Sequence, residues 1–288
     1  MKPYLAPLRY VVQAFLTLII LFRERPRAVF VQNPPIFAPL LAWIYCALTG
    51  SGLIIDSHTD ALQSRIWKWS LPLHRFLSRR ALTTIVTNDY LSQTVAQWGA
   101  RTQIIVDVPS DLPTGRPYPT GYPFNIAMIS SFAPDEPLDE VIEVACSLPE
   151  VGFYVTGDPV QGFKRLPASL PPNLRLTGFL PDDEYYGLLR SVQAVMALTT
   201  EDHTMQRGAC EAVWLSQPII TSDWPLLRQA FHKGTIHVDN TVEGIRSGVL
   251  QMRARYPQLA SEILLLQEER RRQWQAIEQK LDTLIGQT

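Results

Sequence analysis

Short apolar runs alternate along the chain with longer segments in which apolar residues recur every three or four positions. In the first third, the short runs predict strands over residues 29–32, 53–56, 84–87 and 103–106. The intervening periodicity predicts helices near 39–48, 71–81 and 89–98, the last closed by Gly99. Strand and helix taking turns in this way predict a parallel sheet covered on both faces. Residues 109–123 then read PSDLPTGRPYPTGYP, five prolines and two glycines. Proline fixes φ and removes a backbone donor, so this stretch is read as a linker. Beyond it the alternation resumes, with strands over 125–129, 152–156, 173–176, 194–198, 218–221 and 235–238. Helices are expected over 137–148, 182–190 and 206–215, and a charged helix over 258–285 ends the chain.

This pattern predicts an α/β protein with two Rossmann-like domains, residues 1–115 and 116–255, and a C-terminal helix over 256–288. Two such domains are expected to face a cleft at the carboxyl ends of their strands, where ligands bind. Residues 10–22, YVVQAFLTLIILF, carry no charge but are short for a bilayer span. Two readings stay open for them: a buried helix flanking the sheet, or a face resting on a membrane. With 288 residues, 46% of them hydrophobic, and a net charge of −1, the chain has material for a full core and no nucleic-acid footprint. The three cysteines, Cys46, Cys146 and Cys210, are scattered without metal-ligand spacing, as expected for reduced thiols in the cytoplasm. No Gly-rich phosphate loop is present, which argues against a dinucleotide enzyme.

Chemistry concentrates in TTEDHTMQRGACEAVWLSQPIITSD, residues 199–223. A strand end, a polar loop and a helix start near Gln206 present free N–H groups suited to a diphosphate. Thr204 and Gln206 add hydrogen-bonding side chains, and Glu211 is placed to accept from two ribose hydroxyls. In the first half, Asp56, His58 and Asp60 cluster at a strand end, where a carboxylate can serve as general base. Arg79, Arg80 and Arg270–Arg272 are read as solvated faces or weak lipid-headgroup contacts, and Trp67 and Trp69 as core packing in preference to facing an acceptor or membrane. No metal is implied.

The 199–223 segment resembles the donor-binding region of GT-B glycosyltransferases, especially family four and its mannosyltransferase relatives. Glu211, Ala212 and the strand Pro218-Ile219-Ile220 follow that pattern, and His203 stands where the family's first Glu lies. Ser130 and Ser131, followed by Asp135-Glu136, occupy the place of the family's Gly loop and basic clamp. That acidic version resembles the β-1,4-mannosyltransferases acting on lipid-linked chitobiose. Arg207 or Lys164 is the candidate for the missing positive charge. Gly178-Phe179-Leu180-Pro181 resembles the loop beside the nucleobase. Gln32-Asn33-Pro34-Pro35 and Asp56-Ser57-His58 resemble the Q-N-P-P and I-D-x-H of the same enzymes.

The resemblance implies a GT-B fold with a truncated N-terminal domain, because the family's first strand and Gly loop have no counterpart. It implies transfer of a hexose from a nucleotide-sugar, with GDP-mannose the named candidate, to a lipid-linked or polysaccharide acceptor. The nucleotide-sugar is a co-substrate, and no cofactor is expected. The expected donor residues are Ser130, Ser131, Gly178, Phe179, His203, Thr204, Met205, Gln206, Arg207, Gly208 and Glu211, and the catalytic candidates are His58, Asp56 and Asp60. A cytoplasmic location, peripheral contact with the inner face of a membrane and a completing partner subunit are further expectations. The rival reading is a non-catalytic sugar-nucleotide-binding remnant paired with an active transferase.

Overall fold

The structure, a computed structural model, describes residues 6–158, 166 and 169–286. Two compact units divide it: Met1–Val106 with Gln275–Thr288, and Asp107–Trp274.

The first unit runs α1 (Ala6–Glu24), β1 (Ala28–Asn33), α2 (Phe37–Thr49), β2 (Gly52–Ser57), α3 (Thr59–Gln63), a 3₁₀ turn (Lys68–Ser70), α4 (Leu71–Ser78), β3 (Thr83–Val86), α5 (Asp89–Gln97) and β4 (Thr102–Ile104). Its four strands are parallel, in the order β1-β2-β3-β4. An inner parallel strand is covered on both faces, which is why Leu53, Ile54 and Ile55 of β2 form an unbroken apolar run and are all buried. α2 stops at Gly50, whose φ of 77° lets its N–H reach back to the Cys46 carbonyl. At the start of α5 the Asn88 side chain accepts from the Leu91 N–H, a capping bond that satisfies an orphan donor. Tyr45, Leu53, Ile55 and Leu77 make the core beneath α2.

The reading of residues 10–22 as a buried helix flanking the sheet holds for one side of α1 only. Leu18 and Leu21 of α1 pack on that core and Phe22 meets Tyr45 edge-on, but Phe15 is 66% exposed and Leu16, Ile19 and Ile20 lie open. β1 is an edge strand, so only one side of α1 finds a partner. Trp69 is likewise 60% exposed rather than core, tilted against an exposed Phe37.

The second unit runs β5 (Phe124–Met128), α6 (Leu138–Ser147), β6 (Val151–Thr156), β7 (Leu174–Gly178), α7 (Asp182–Ser191), β8 (Ala194–Ala197), α8 (Arg207–Trp214), β9 (Ile219–Ser222), α9 (Pro225–Ala230) and β10 (Thr235–Val238), then α10 (Val242–Gly286), whose last turns belong to the first unit. All six strands are parallel, in the order β10-β9-β8-β5-β6-β7. β5, β6 and β8 are buried at every position. α6 buries Leu138, Val141, Ile142 and Ala145 on one stripe, the amphipathic spacing expected of a helix laid on a sheet. Buried Asn173 aims its Nδ2 at the carbonyls of Ala145, Leu148 and Val151, tying the start of β7 to the α6–β6 turn.

α10 begins at Val242 and passes through Pro257 without ending. Proline there removes one helical bond, but Val249, Met252, Leu259 and Ile263 are buried on either side of it, and that burial outweighs the loss. The Pro-rich stretch lies along α7. Arg116 N–H donates to the Asp183 carbonyl and its guanidinium to the Asp183 carboxylate, while Tyr118 N–H reaches Ser191 Oγ at 3.0 Å. A Cβ on Gly187 would meet the Arg116 carbonyl oxygen at 1.7 Å, so only glycine lets the stretch lie so close.

Candidate functional site

Counted from β5, the second sheet has the doubly wound order 3-2-1-4-5-6, and its strand order reverses between β5 and β8. Chains leaving the carboxyl ends of those two neighbours diverge to opposite faces, opening a crevice for a ligand. The loops there are residues 129–137 after β5 and 198–206 after β8. Ser130, Ser131, His203, Thr204, Met205, Gln206, Arg207, Gly208 and Glu211 all lie on these loops or on the helix that follows the second. The topology therefore brings nine of the expected donor residues to one end of one strand pair.

The loop after β8 is held by side chains. Thr199 N–H donates to Ser222 Oγ, its hydroxyl to Asp135 Oδ2 at 2.6 Å, and its carbonyl accepts from both Asn240 Nδ2 and Trp224 Nε1 at 2.9 Å. Thr200 N–H reaches the Asp135 carbonyl at 2.7 Å. The chain then turns through His203, whose φ of 59° is left-handed, and enters α8 behind Gln206, which supplies no side-chain cap. Gly208 abuts β5's exit: a Cβ there would meet the Ile129 side chain at 2.7 Å. This close approach sets the α8 N-terminus beside the carboxyl end of β5.

Glu211 stands one turn further along α8, its side chain 14% exposed. Tyr185 Oη donates to its Oε2 at 2.7 Å, and Arg207 Nε lies 3.4 Å from its Oε1. Burial, then the Glu211 charge, pushes the Tyr185 phenol well above its usual range, so it remains a donor at any physiological pH. Arg207 is 72% exposed and also faces Asp107 at 3.9 Å. Burial raises the Asp107 carboxyl, opposed by the Trp214 indole that donates to it, the Val108 N–H and the Arg207 and Arg270 charges. Arg270 corrects its sequence reading: burial lowers its pKa and it donates to the Ala230 carbonyl instead of facing solvent. Lys164 lies outside the described residues.

Gly178 and Phe179 fall at the carboxyl end of β7, the edge strand two places from β5. Phe179 is 85% exposed, and Gly178 takes a φ of 73° that its lack of a Cβ permits. α7, which follows them, carries Tyr185 to Glu211, so the β7 exit and α8 are mechanically joined. Tyr185 as the partner of Glu211, Asp107 beside Arg207, and the Asn240–Ser222 anchors escaped the sequence reading. No periodicity or spacing marks a contact between residues 26 or 100 positions apart.

In the first unit, His58 Nε2 lies 3.4 Å from Asp56 Oδ2 where β2 gives way to α3, both about half exposed. Asp60 sits in the first turn of α3. Directly beneath, Ser57 Oγ is 2.8 Å from Nε2 of His74, which is fully buried and edge-on to Trp98. Burial lowers the His74 imidazole to about 4, so the fold holds it neutral. The unfolded chain, with an ordinary histidine, takes up this proton first. Stability is therefore complete above about pH 6.5 and falls as pH drops toward 4, by about 3 kcal/mol in all. Urea melts at pH 7, 6 and 5 are expected to show this decline, and His74→Gln to flatten it; a slope unchanged in that variant would place the proton elsewhere. Among the described residues no group of three His, Cys, Asp or Glu is placed to hold a metal ion.

No protein-family model matches the sequence, and no curated protein matches it. Solved structures do. Sucrose-phosphate synthase from Thermosynechococcus elongatus superposes with a TM-score of 0.69 at 13% identity, over 95% of this chain and 76% of that one. Anabaena HepE in complex with UDP gives 0.70 at 15%, over 98% and 84%. A glycosyltransferase from Rickettsia africae gives 0.67 at 12%, over 98% and 81%. At such identities the likeness establishes the fold, which is GT-B: two parallel α/β units, four-stranded and six-stranded.

Proposed function

We propose that the chain is a glycosyltransferase that moves a hexose from a nucleotide-sugar, GDP-mannose being the candidate donor, to a lipid-linked or polysaccharide acceptor. The observation that carries this reading is the assembly of the α8 N-terminus and Glu211 at the switch point of the second sheet. In it, the uncapped N–H groups of α8 receive the leaving diphosphate, whose growing charge they stabilise. Glu211 accepts from the ribose, and Phe179 offers an aromatic face to the base. On the first unit, Asp56 or Asp60 with His58 takes the acceptor proton.

The direct test is thermal melting with UDP, GDP and their hexose conjugates. A true donor nucleotide at a hundred times its dissociation constant adds about 2.7 kcal/mol of stability. No shift with any of them would remove the foundation of the proposal. The second reading, a binding subunit without catalysis, is favoured by the absence of a basic residue from the loop after β5. Sugar transfer by the isolated chain rejects it.

The acceptor proposal has a surface to match. Residues 1–106 hold eleven Lys and Arg against four Asp and Glu. Arg23, Arg25 and Arg27 are exposed at the carboxyl end of α1, whose open apolar side borders a groove of ≈ 1060 Å³ shared with β1 and α2. Exposed Phe37 and Trp69 continue that face. No helix among the described residues is long and apolar enough to cross a membrane. Apolar and aromatic side chains with arginines at one end match an anionic bilayer surface, which receives both. Sedimentation with phosphatidylglycerol vesicles is expected to carry the protein down, and Phe15→Glu with Ile19→Glu to release it. Equal sedimentation with neutral phosphatidylcholine would remove the electrostatic half of the idea.

A further inference from the structure

The loop after β5 already holds an anion of its own. Ser131 and Phe132 direct successive backbone N–H groups at the Glu136 carboxylate, at 2.8 Å to Oε1 and 3.0 Å to Oε2. The hydroxyls of Ser130 and Ser131 donate to the same group, Ser131 at 2.8 Å. Phe132 adopts a left-handed φ of 58°, and paired N–H groups around such a residue form the concave nest that binds anions. Four donors thus converge on one side chain. A phosphate could not share them, since two anions at one set of donors repel each other.

The residue before it works across the strand gap. Asp135 receives the Thr199 hydroxyl and the Thr200 N–H, the start of the loop that leads to α8. Consecutive carboxylates therefore grip the two loops that flank the switch point: Glu136 its own, Asp135 the neighbouring one. Gly157, at the exit of β6, closes against the same turn, its Cα so near that an added Cβ would lie 2.1 Å from the Ser130 carbonyl oxygen.

We propose that Glu136 is the resident anion of the nest after β5 and a positioning residue for the donor site. It holds Ser130–Phe132 in the left-handed turn without any ligand, keeps Asp135 on residues 199 and 200, and leaves the α8 N-terminus as the place for the diphosphate. The last clause rests on the nucleotide-sugar reading; the first does not.

The test separates the two. Glu136→Ala empties the nest, and sodium formate, a free carboxylate, is the probe. The variant is expected to melt below the parent and to regain about 3 °C or more in saturating formate, a gain that the parent lacks and that sodium chloride at equal ionic strength does not produce. Nucleoside-diphosphate affinity should fall about tenfold and return with formate. An identical formate response in parent and variant overturns the proposal, and so does nucleotide binding in Glu136→Ala as tight as in the parent, which would make the carboxylate irrelevant to the site, or tighter, which would make it a blocker. If Glu136→Ala does not fold, Glu136→Gln keeps the size and one acceptor. It should bind nucleotide more weakly at a near-parental Tm, and parental affinity there overturns the proposal equally. Should the parent bind no nucleotide, the functional reading fails while the formate arm still decides the role of Glu136.

Discussion

Glu211→Gln is expected to weaken nucleoside-diphosphate binding by about tenfold to a hundredfold, roughly 1.4–2.7 kcal/mol. The carboxylate is mostly buried and already accepts from Tyr185 and Arg207, yet two oxygens offer about four lone-pair sites. Two sites therefore remain for the vicinal hydroxyls of a ribose. The amide keeps the shape and the Tyr185 bond but replaces one acceptor with a donor, turning a hydrogen bond into a donor clash. Alanine is the poorer probe, because it strands the buried Tyr185 hydroxyl and adds a folding penalty. Isothermal titration with the nucleotide found in the melting screen measures the loss. Tyr185→Phe frees the carboxylate without removing it, and should cost less than Glu211→Gln. A larger effect from Tyr185→Phe would move ribose recognition from Glu211 to the tyrosine.

Gly157→Ala should have the largest effect on stability, a loss of about 3 kcal/mol or more. The residue has φ 104°, a conformation that strains any residue with a Cβ, and the added carbon would sit 2.1 Å from a backbone oxygen of Ser130. A flexible side chain could swing away, but a carbonyl in the turn after β5 cannot move without pulling Ser131 and Phe132 off Glu136. Loss of stability and loss of nucleotide binding should therefore arrive together. Urea unfolding gives the first and titration the second. A variant with parental stability would show that the turn after β6 is free to retreat, contrary to its close packing here.

Much of the architecture was legible before the structure. Strands such as β2 and β8 are unbroken apolar runs because an inner parallel strand meets helices on both sides, and that pattern is local. The helix stop at Gly99 is equally local, set by the backbone freedom of one residue. The 199–223 segment was readable as a strand end, a polar turn and a small-residue helix within one stretch of chain. Where local signals misled, a distant partner decided. The last helix is expected over 258–285, but with Val249, Met252, Leu259 and Ile263 buried on either side of Pro257 α10 runs unbroken from Val242. For residues 10–22 apolarity favours a buried helix and leaves a membrane-resting face open, because it says nothing of how many sides find a partner.

The chain alone determined which segments become strand or helix, and that Glu211 follows a helix start with free N–H groups. Those follow from periodicity, propensity and the unpaired N–H groups that every helix must leave at its beginning. Only the tertiary structure decided that β5 and β8 are neighbours, so that residues 130 and 203 share a crevice though many positions separate them. It alone set Tyr185 on Glu211, Asp135 on Thr199 and Glu136 in its nest. Strand order is a global choice made by packing the whole sheet, and a contact made across that order leaves no mark on the residues between.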